Sequence, residues 1–251
     1  MAPAISRAAA GLALLAASLP GCGPSRELAA APRETRPDDV LRRCEAAYAR
    51  LQTLQLSGVF RDERPGRASV VPIRWDFERP SRCRLQIGMD VMVASRERWW
   101  TYRHERRRFL AHTLRSQAAL RLGALQLSEG ARLVVPEFLL AEPPAREEAP
   151  PPRSPWAFEG LAWVGQRPCY VFNQNGVGNA RDEALRIWID QDTYFICQTR
   201  WERHRSEGPP KLLGMCFYDQ IAVNQPVADG RFRLDVPEPI FVPPDVLDQV
   251  K

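Results

Sequence analysis

This chain of 251 residues has little lysine, little histidine and no apolar run long enough to cross a bilayer. The apolar run at 8–19 falls well short of the roughly 20 residues that a membrane-spanning helix needs. Lys211 and Lys251 are the only lysines, so arginine supplies nearly all of the positive charge behind the formal net charge of +5. Arginine suits contacts with phosphate and carboxylate groups. The excess therefore fits an anionic membrane surface as a neighbour, and it fits a GC-rich genome equally well.

The scarcity of histidine also argues against an enzyme. The three histidines lie among arginines or at strand ends, where solvated turns are the expected role, and they are His104, His112 and His204. No nucleophile, base and orienting residue can be named together, so a hydrolase is the least favoured class and no catalytic residue is predicted. Asp190 and Asp192 fit a hairpin turn better than a calcium loop, because no further ligands follow at the required spacing. We expect no metal and no cofactor.

The N-terminus carries a processing pattern that ends in Leu19, Pro20, Gly21 and Cys22. A basic start, a short apolar run and this ending are typical of a bacterial lipoprotein signal peptide. We predict a signal at 1–21, a lipidated Cys22 and a flexible tether at 22–36. An ordinary secretory signal with an unmodified Cys22 is the alternative, and both interpretations predict an exported protein without nucleic acid as a partner. Because Gly23 follows the cysteine, resemblance to sorted lipoproteins suggests the outer membrane, facing the periplasm.

The remainder, 37–251, is predicted to be one β-rich domain with a Pro-rich loop at 142–155. Apolar spacing predicts one helix at 37–54 and a second at 113–127. Period-two alternation and turn residues predict antiparallel strands before and after the second helix. The predicted strands are 54–61, 68–78, 82–89, 91–95, 98–103, 107–111, 158–165, 168–173, 184–190, 193–202, 211–223 and 231–236.

Several short sequence motifs in these strands resemble those of the LolA/LolB-like lipoprotein carrier family. The stretch Phe77-Glu78-Arg79-Pro80 through Leu85, the aromatic Trp99-Trp100-Thr101-Tyr102 and the hairpin Ile187-Trp188-Ile189-Asp190 are similar to its strand signatures. The resemblance covers roughly 40–239. It implies an α+β, β-rich fold in which a strongly curved, incompletely closed antiparallel sheet, a half-barrel, wraps an apolar cavity covered by helices.

Such a cavity would bind an acyl chain or the lipid moiety of a lipoprotein, as a carrier or an acceptor does. Strand alternation and hydrophobicity select the candidate lining residues, each of which could equally be ordinary core: Trp75, Phe77, Leu85, Ile87, Trp100, Tyr102, Val171, Ile187 and Ile189. The alternative function is an envelope interaction or sensor protein whose cavity is occluded and whose outer surface binds another protein. The arginine-rich turn at 103–108 is either solvated or in contact with anionic headgroups.

The chain has six cysteines, and an acylated Cys22 leaves an odd number, so at least one of the others stays unpaired or pairs between chains. Cys197 and Cys216 lie in successive predicted strands, and a symmetric hairpin about 203–210 would place them opposite each other. We expect either a disulfide between them or two reduced residues on one sheet face. Cys169 has no evident base near it in sequence and is expected to be a core residue.

Overall fold

The computed structural model of this chain describes residues 36–64, 69–80, 82–95, 98–113, 156–176, 182–233, 235 and 245. Their main feature is one antiparallel sheet of 11 strands. The strands are β1 (Thr53–Asp62), β2 (Ser69–Glu78), β3 (Arg82–Ile87), β4 (Asp90–Ser95), β5 (Arg98–Arg103), β6 (Arg108–Thr113), β7 (Ala157–Val164), β8 (Arg167–Asn175), β9 (Glu183–Asp190), β10 (Ile196–Arg203) and β11 (Lys211–Val223). Two 3-10 turns accompany them, at His104–Arg106 and Asp229–Phe232.

The strand order is β6-β5-β4-β3-β2-β1-β11-β10-β9-β8-β7, so β6 and β7 form the two edges of a sheet that does not close. Two meanders, β1 to β6 and β7 to β11, are joined where β1 pairs with β11. In that pair Leu54 lies opposite Val223 and Asp62 lies opposite Gly214, with a register irregularity between Ser57 and Gly58. The predicted incompletely closed antiparallel sheet is confirmed.

One amphipathic helix, α1 (Pro37–Ala49), precedes the sheet. Proline occupies its first turn, and Asp38 and Asp39 lie beside the positive end of the helix dipole. The helix is five residues shorter than predicted. Arg79 explains where it stops: its Nε donates to the carbonyl of Leu51 at 2.7 Å, and its guanidinium also donates to the carbonyl of Tyr48 at 3.2 Å. Carbonyls at the end of a helix lack partners within it, so Arg79, the residue that follows β2, satisfies them and lets the chain turn into β1.

The two faces of the sheet carry separate hydrophobic clusters. We call the face that packs against α1 the helix face. Its cluster contains Val40, Leu41, Cys44 and Tyr48 of α1 and extends from Trp99 on β5 to Phe172 on β8. Strands near opposite ends of the sheet thus share one cluster, because the sheet curves around α1. The other face, which we call the outer face, carries a cluster from Val59 to Phe217 and a smaller one around Tyr102.

The structure corrects two smaller predictions. Strand β10 begins at Ile196 rather than at residue 193, because Asp190 Oδ1 accepts hydrogen bonds from the backbone N–H groups of Asp192 and Thr193 at 3.1 and 2.7 Å and closes a turn there. Of the strand predicted at 231–236, residues 231 and 232 belong instead to the 3-10 turn Asp229–Phe232, which buries Phe232, and residues 233 and 235 are not in a strand. The aspartate pair 190 and 192 therefore serves a turn, as the spacing indicated.

Candidate functional site

Six of the nine predicted lining residues lie together on the helix face. Their side chains belong to one cluster and are at most 8% exposed, and they are Trp75, Phe77, Leu85, Ile87, Ile187 and Ile189. Register explains the grouping: Trp75 lies opposite Leu85 on β3, and Phe77 lies opposite Cys83. Paired positions on adjacent strands point to the same side of a sheet. The helix face is therefore apolar across both meanders.

The other three predicted lining residues lie on the outer face, so their assignment was wrong. Trp99 belongs to the helix-face cluster, and its neighbour Trp100 takes the opposite side, across from Val93. Tyr102 packs with Val91 and Val93 on that side. Val171 belongs to the outer-face cluster. Residues 99–102 and 169–172 are apolar or aromatic at nearly every position. Hydrophobicity alone therefore could not decide which of these positions face inward.

Sequence reasoning missed three inward residues in these stretches, Trp99, Tyr170 and Phe172. Ile187 and Ile189 on β9 point inward. Together with the pairing of β8 and β9, they identify Tyr170 and Phe172 as inward residues. Phe172 lies opposite Ile187 and Tyr170 lies opposite Ile189, so the four share a face. An inward residue on one strand fixes the face of its partner on the next strand only when the register is known.

A rim of half-buried apolar residues borders the helix face beside edge strand β7. It consists of Trp156, Phe158 and Leu161, which pack against the cluster without being fully buried. The ring of Phe158 lies 5.4 Å from that of Phe172 and 6.5 Å from that of Tyr170, measured between centroids. These distances are typical of aromatic packing. The rim, defined by these three residues, is one place where the helix face is only partly buried.

Three cysteines lie in the helix-face cluster, at positions 44, 83 and 216, and all three are free and buried. Burial raises the pKa of the Cys83 thiol to about 12 and raises the pKa values of Cys44 and Cys216 as well. A thiol without its thiolate form is a poor nucleophile. These residues therefore act as small apolar core residues.

The structure contradicts the symmetric register from which the disulfide between Cys197 and Cys216 was predicted. Cys216 lies opposite Thr199 on β10, and the register shifts between Trp201 and Glu202. Cys216 belongs to the helix-face cluster, whereas Cys197 belongs to the outer-face cluster, and both are free. Thiols on opposite faces of a sheet cannot reach disulfide geometry. The expectation that two reduced residues share one face is wrong for the same reason.

The arginine-rich turn between β5 and β6 is exposed. Asp90 holds its base: the Asp90 carboxylate accepts a hydrogen bond from the backbone N–H of His104 at 2.8 Å and pairs with Arg103 Nε at 2.9 Å. Arg106 and Arg107 extend into solvent. Both interpretations of this turn, solvated or in contact with anionic headgroups, are compatible with that exposure.

The remaining predictions lie outside the described residues. These are the signal at 1–21, the lipidated Cys22, the tether, most of the second helix and the Pro-rich loop at 142–155. Within the described ranges, no helix has the length and hydropathy needed to cross a membrane. The same ranges contain no group of three or more histidine, cysteine, aspartate or glutamate side chains that could hold a metal ion.

The described elements define a fold class: an open, curved antiparallel sheet with an amphipathic helix on its apolar face. Solved structures similar to this chain include a LolA superfamily protein from Nitrosomonas europaea, with 9% identity and a TM-score of 0.34 over 80% of this chain and 98% of that chain. Mycobacterium tuberculosis lipoprotein LppX shares 10% identity at a TM-score of 0.42, covering 77% of this chain and 99% of that chain.

A third similar structure is the Pseudomonas aeruginosa MucA/MucB complex, with 16% identity and a TM-score of 0.41 over 82% of this chain and 66% of that chain. No protein-family model and no curated protein sequence matches this chain. At these identities and TM-scores, what those proteins bind does not transfer to this chain.

Proposed function

We propose that this protein is a non-enzymatic lipoprotein of the cell envelope, anchored to the membrane at Cys22, whose helix face binds a fatty acyl chain or the lipid moiety of a lipoprotein. The observation that carries the proposal is the breadth of the apolar helix face relative to α1. Eleven strands give ten spacings of about 4.8 Å, so the sheet is roughly 50 Å wide along its curve.

Helix α1 covers only part of that width. Its 13 residues give a rod about 20 Å long and about 10 Å wide. An apolar sheet face must be filled by side chains, covered by other elements or offered to a ligand. Among the residues that the structure describes, α1 is the one complete α-helix on this face, and the proposal is that an apolar ligand occupies part of the face beyond its reach.

The rim gives such a ligand a point of entry. Trp156, Phe158 and Leu161 are half-buried and continuous with the inward residues Tyr170 and Phe172. An acyl chain that enters along the rim would exchange water contacts for aromatic and aliphatic contacts. Each methylene buried contributes about 0.8 kcal/mol.

Entry also requires movement, because the deeper residues Trp75, Leu85 and Ile187 are at most 2% exposed. The acyl chain must therefore displace the protein atoms that cover these three residues. We therefore expect uptake to be slower than a diffusion-limited encounter and to have a conformational component.

Equilibrium titration of the purified protein with a fluorescent fatty acid tests the proposal. Wild-type protein should give saturable binding that unlabelled palmitate competes away. Phe158→Glu places a charge on the rim and should weaken affinity at least about tenfold, because a carboxylate must then be desolvated along the path of entry. Phe109→Glu is the matched control, since Phe109 is 39% exposed on the outer face beside Tyr102.

Two outcomes would refute acyl binding at the helix face. One is the absence of saturable uptake by wild-type protein from which endogenous lipid has been extracted. The other is equal weakening by Phe158→Glu and Phe109→Glu. Thermal unfolding of each variant separates loss of binding from loss of fold.

A second candidate function is favoured by the burial of the six inward lining residues, which suits an occluded interior. In that case the protein would bind another envelope protein through its surface. Trp163, on edge strand β7, is 61% exposed, and an edge strand beside an exposed aromatic can accept a strand from a partner. Native mass spectrometry of the full chain extracted from its own envelope distinguishes the candidates: a bound lipid supports the first, and a bound protein with no lipid supports the second.

A further inference from the structure

Helix α1 carries an exposed arginine, Arg43, whose hydrogen-bond partner is an uncharged side chain. One guanidinium nitrogen of Arg43 donates to the hydroxyl of Tyr194 at 2.7 Å. Asp39, about one helical turn earlier, pairs with Arg42 instead. Across the described ranges of the chain, Arg43 forms no ion pair. Its positive charge is therefore available to a ligand.

Arg43 lies next to the aromatic residues that continue the rim inward. Its guanidinium carbon lies 5.5 Å from the centroid of the Tyr194 ring. The hydrogen bond to Tyr194 raises the pKa of Arg43, and the nearby Tyr170 phenol adds to that effect. Tyr170 lies directly opposite the rim residue Leu161 on β7, and its ring centroid lies 6.5 Å from that of Phe158. The cation and the rim thus border the same part of the helix face.

The backbone of Tyr194 is held in an unusual conformation. Its φ of 60° lies in the left-handed region, which a bulky side chain rarely adopts. The β9–β10 turn imposes this conformation: the N–H of Tyr194 donates to the carbonyl of Asp190 at 3.0 Å, and the N–H of Asp190 donates to the carbonyl of Phe195 at 2.9 Å. The Tyr194 ring packs against the helix-face cluster while its hydroxyl reaches Arg43. Strained residues of this kind cluster at ligand-binding sites, where the surrounding structure holds them in place.

Together the two side chains offer the hydrogen-bond donors that an oxyanion needs. The Tyr194 hydroxyl accepts from Arg43, so its own hydrogen remains to be donated. The guanidinium of Arg43 presents a planar fork of N–H donors that matches the oxygens of a carboxylate or a phosphate. Hydrogen bonds to ionised groups are roughly twice as strong as those between neutral groups. A negatively charged head therefore gains more here than an uncharged one.

The position of the cation relative to the rim suits an amphipathic ligand. Arg43 is exposed, whereas the rim residues Phe158 and Leu161 are half-buried and continuous with the helix-face cluster. A lipid head at Arg43 stays hydrated while its acyl chain lies along the rim. Because the head is not taken out of water, its charge avoids the desolvation cost that a buried ion pair carries.

We propose that the helix face selects anionic lipids, whose acyl chain enters along the rim while a carboxylate or phosphate head binds Arg43 and Tyr194. This inference rests on the proposed acyl-binding function and adds the charge of the ligand to it. Carboxylate and phosphate heads share the oxyanion chemistry that Arg43 and Tyr194 recognise. A neutral lipid of equal chain length lacks that contact and binds more weakly.

Displacement of the uncharged fluorophore N-phenyl-1-naphthylamine from the purified full chain compares ligands that differ in the head alone. Palmitate and hexadecyl phosphate are the anionic lipids, and 1-hexadecanol is the neutral lipid with the same number of carbons. Wild-type protein should bind at least one anion about fivefold or more tightly than the alcohol. Whichever anion binds more tightly identifies the head chemistry, and either result supports the site.

Arg43→Gln should remove most of this preference by weakening the anions, with the affinity for 1-hexadecanol changed less than about twofold. Tyr194→Phe keeps the ring and removes the hydroxyl, so it should weaken the anions by roughly threefold. The matched control is Arg106→Gln, which removes the same charge from an exposed position in the β5–β6 turn and should leave every affinity unchanged. Added NaCl should weaken palmitate binding by wild-type protein more than by Arg43→Gln, because salt screens an exposed ion pair. Thermal unfolding verifies that each variant folds.

Two results would refute charge selection and leave acyl binding intact. One is equal affinity of wild-type protein for palmitate, hexadecyl phosphate and 1-hexadecanol. The other is an Arg43→Gln variant that keeps the wild-type preference for anions. If none of the three lipids displaces the fluorophore from wild-type protein, the acyl-binding function itself is refuted, and charge selection with it.

Discussion

The phenolic oxygen of Tyr48 accepts a hydrogen bond from the backbone N–H of Ile196 at 3.2 Å, and both groups are buried. The contact ties α1 to the first residue of β10. Tyr48→Phe should lower the free energy of unfolding by about 1–3 kcal/mol, because it leaves a buried N–H without this acceptor. Urea unfolding measures the change.

Tyr194→Phe is the matched control for Tyr48. The hydroxyl of Tyr194 accepts a hydrogen bond from Arg43 at 2.7 Å at an exposed site, where water can replace it. Its loss should cost less than about 0.5 kcal/mol. If the two variants were equally stable, Tyr48 would not anchor the helix.

The adjacent tryptophans of β5 test the assignment of Trp99 to the helix face and of Trp100 to the outer face. Trp99 is 5% exposed in the helix-face cluster, whereas Trp100 is half-buried on the outer face. Trp99→Ala should lower the free energy of unfolding by about 3–5 kcal/mol through lost burial and a residual cavity, and Trp100→Ala should cost clearly less. Equal or reversed losses in urea unfolding would contradict the assigned register of β5.

Gly58 lies at the register irregularity in the pairing of β1 with β11. A Cβ at this position would overlap the carbonyl oxygen of Phe217, so backbone must shift to admit any side chain. Gly58→Ala should therefore lower the free energy of unfolding by roughly 2 kcal/mol or more. The control is Gly230→Ala, where a Cβ meets nothing within 4 Å and the loss should stay within about 1 kcal/mol. Differential scanning calorimetry of the pair gives the comparison.

Asp76 should make stability depend on pH. Burial raises its pKa, and Arg74 and Arg84 only partly offset that effect. Arg231 Nε also lies 3.3 Å from its carboxylate. A raised folded-state pKa means that the folded protein holds the proton more tightly than the unfolded chain does. The associated stability is complete below the ordinary pKa of 3.8 and is lost as pH rises through the folded-state value.

The free energy of unfolding of wild-type protein relative to Asp76→Asn should accordingly fall across that window and then level off. Chemical denaturation at a series of pH values measures it. Asp192→Asn, at an exposed position of the β9–β10 turn, should run parallel to wild type. If the stability of wild-type protein relative to Asp76→Asn rose with pH instead, the pKa of Asp76 would be lowered in the folded state rather than raised.

Lipidation is tested by the mass of mature protein taken from its own membrane. The spacing before Cys22 predicts a chain that begins at this cysteine and carries acyl groups, and Cys22→Ser should abolish both the processing and membrane retention. A mature chain that starts elsewhere, or at Cys22 without added acyl mass, would contradict the anchor.

Periodicity was enough to locate all 11 strands of the sheet, because apolar alternation and turn residues mark each strand separately. Register was not accessible in the same way. A shift of one residue exchanges the two faces of a strand, and this is why Trp100 and Val171 were assigned to the wrong side. The expected pairing of Cys197 with Cys216 failed for a related reason, since it assumed a symmetric hairpin without bulges.

The contact between Arg167 and Cys197 on the outer face was not predictable from the sequence for another reason. Arg167 on β8 reaches Cys197 on β10 across β9, where an irregularity between Ile196 and Gln198 redirects the cysteine side chain. No spacing along the chain signals such a contact. In contrast, the helix-face residues Trp75, Phe77, Leu85 and Ile87 stand in consecutive alternating strands, so their common face was predictable.

The strand order has a consequence for how the chain folds. Every pairing except β1 with β11 joins strands that follow each other in sequence, so each meander can form by short loop closures. Joining Leu54 to Val223 closes a loop that contains nearly the whole domain and carries the largest entropic cost. The two meanders should thus behave as separate folding units that dock late, and native-state hydrogen exchange should reveal them as two cooperative groups of amides.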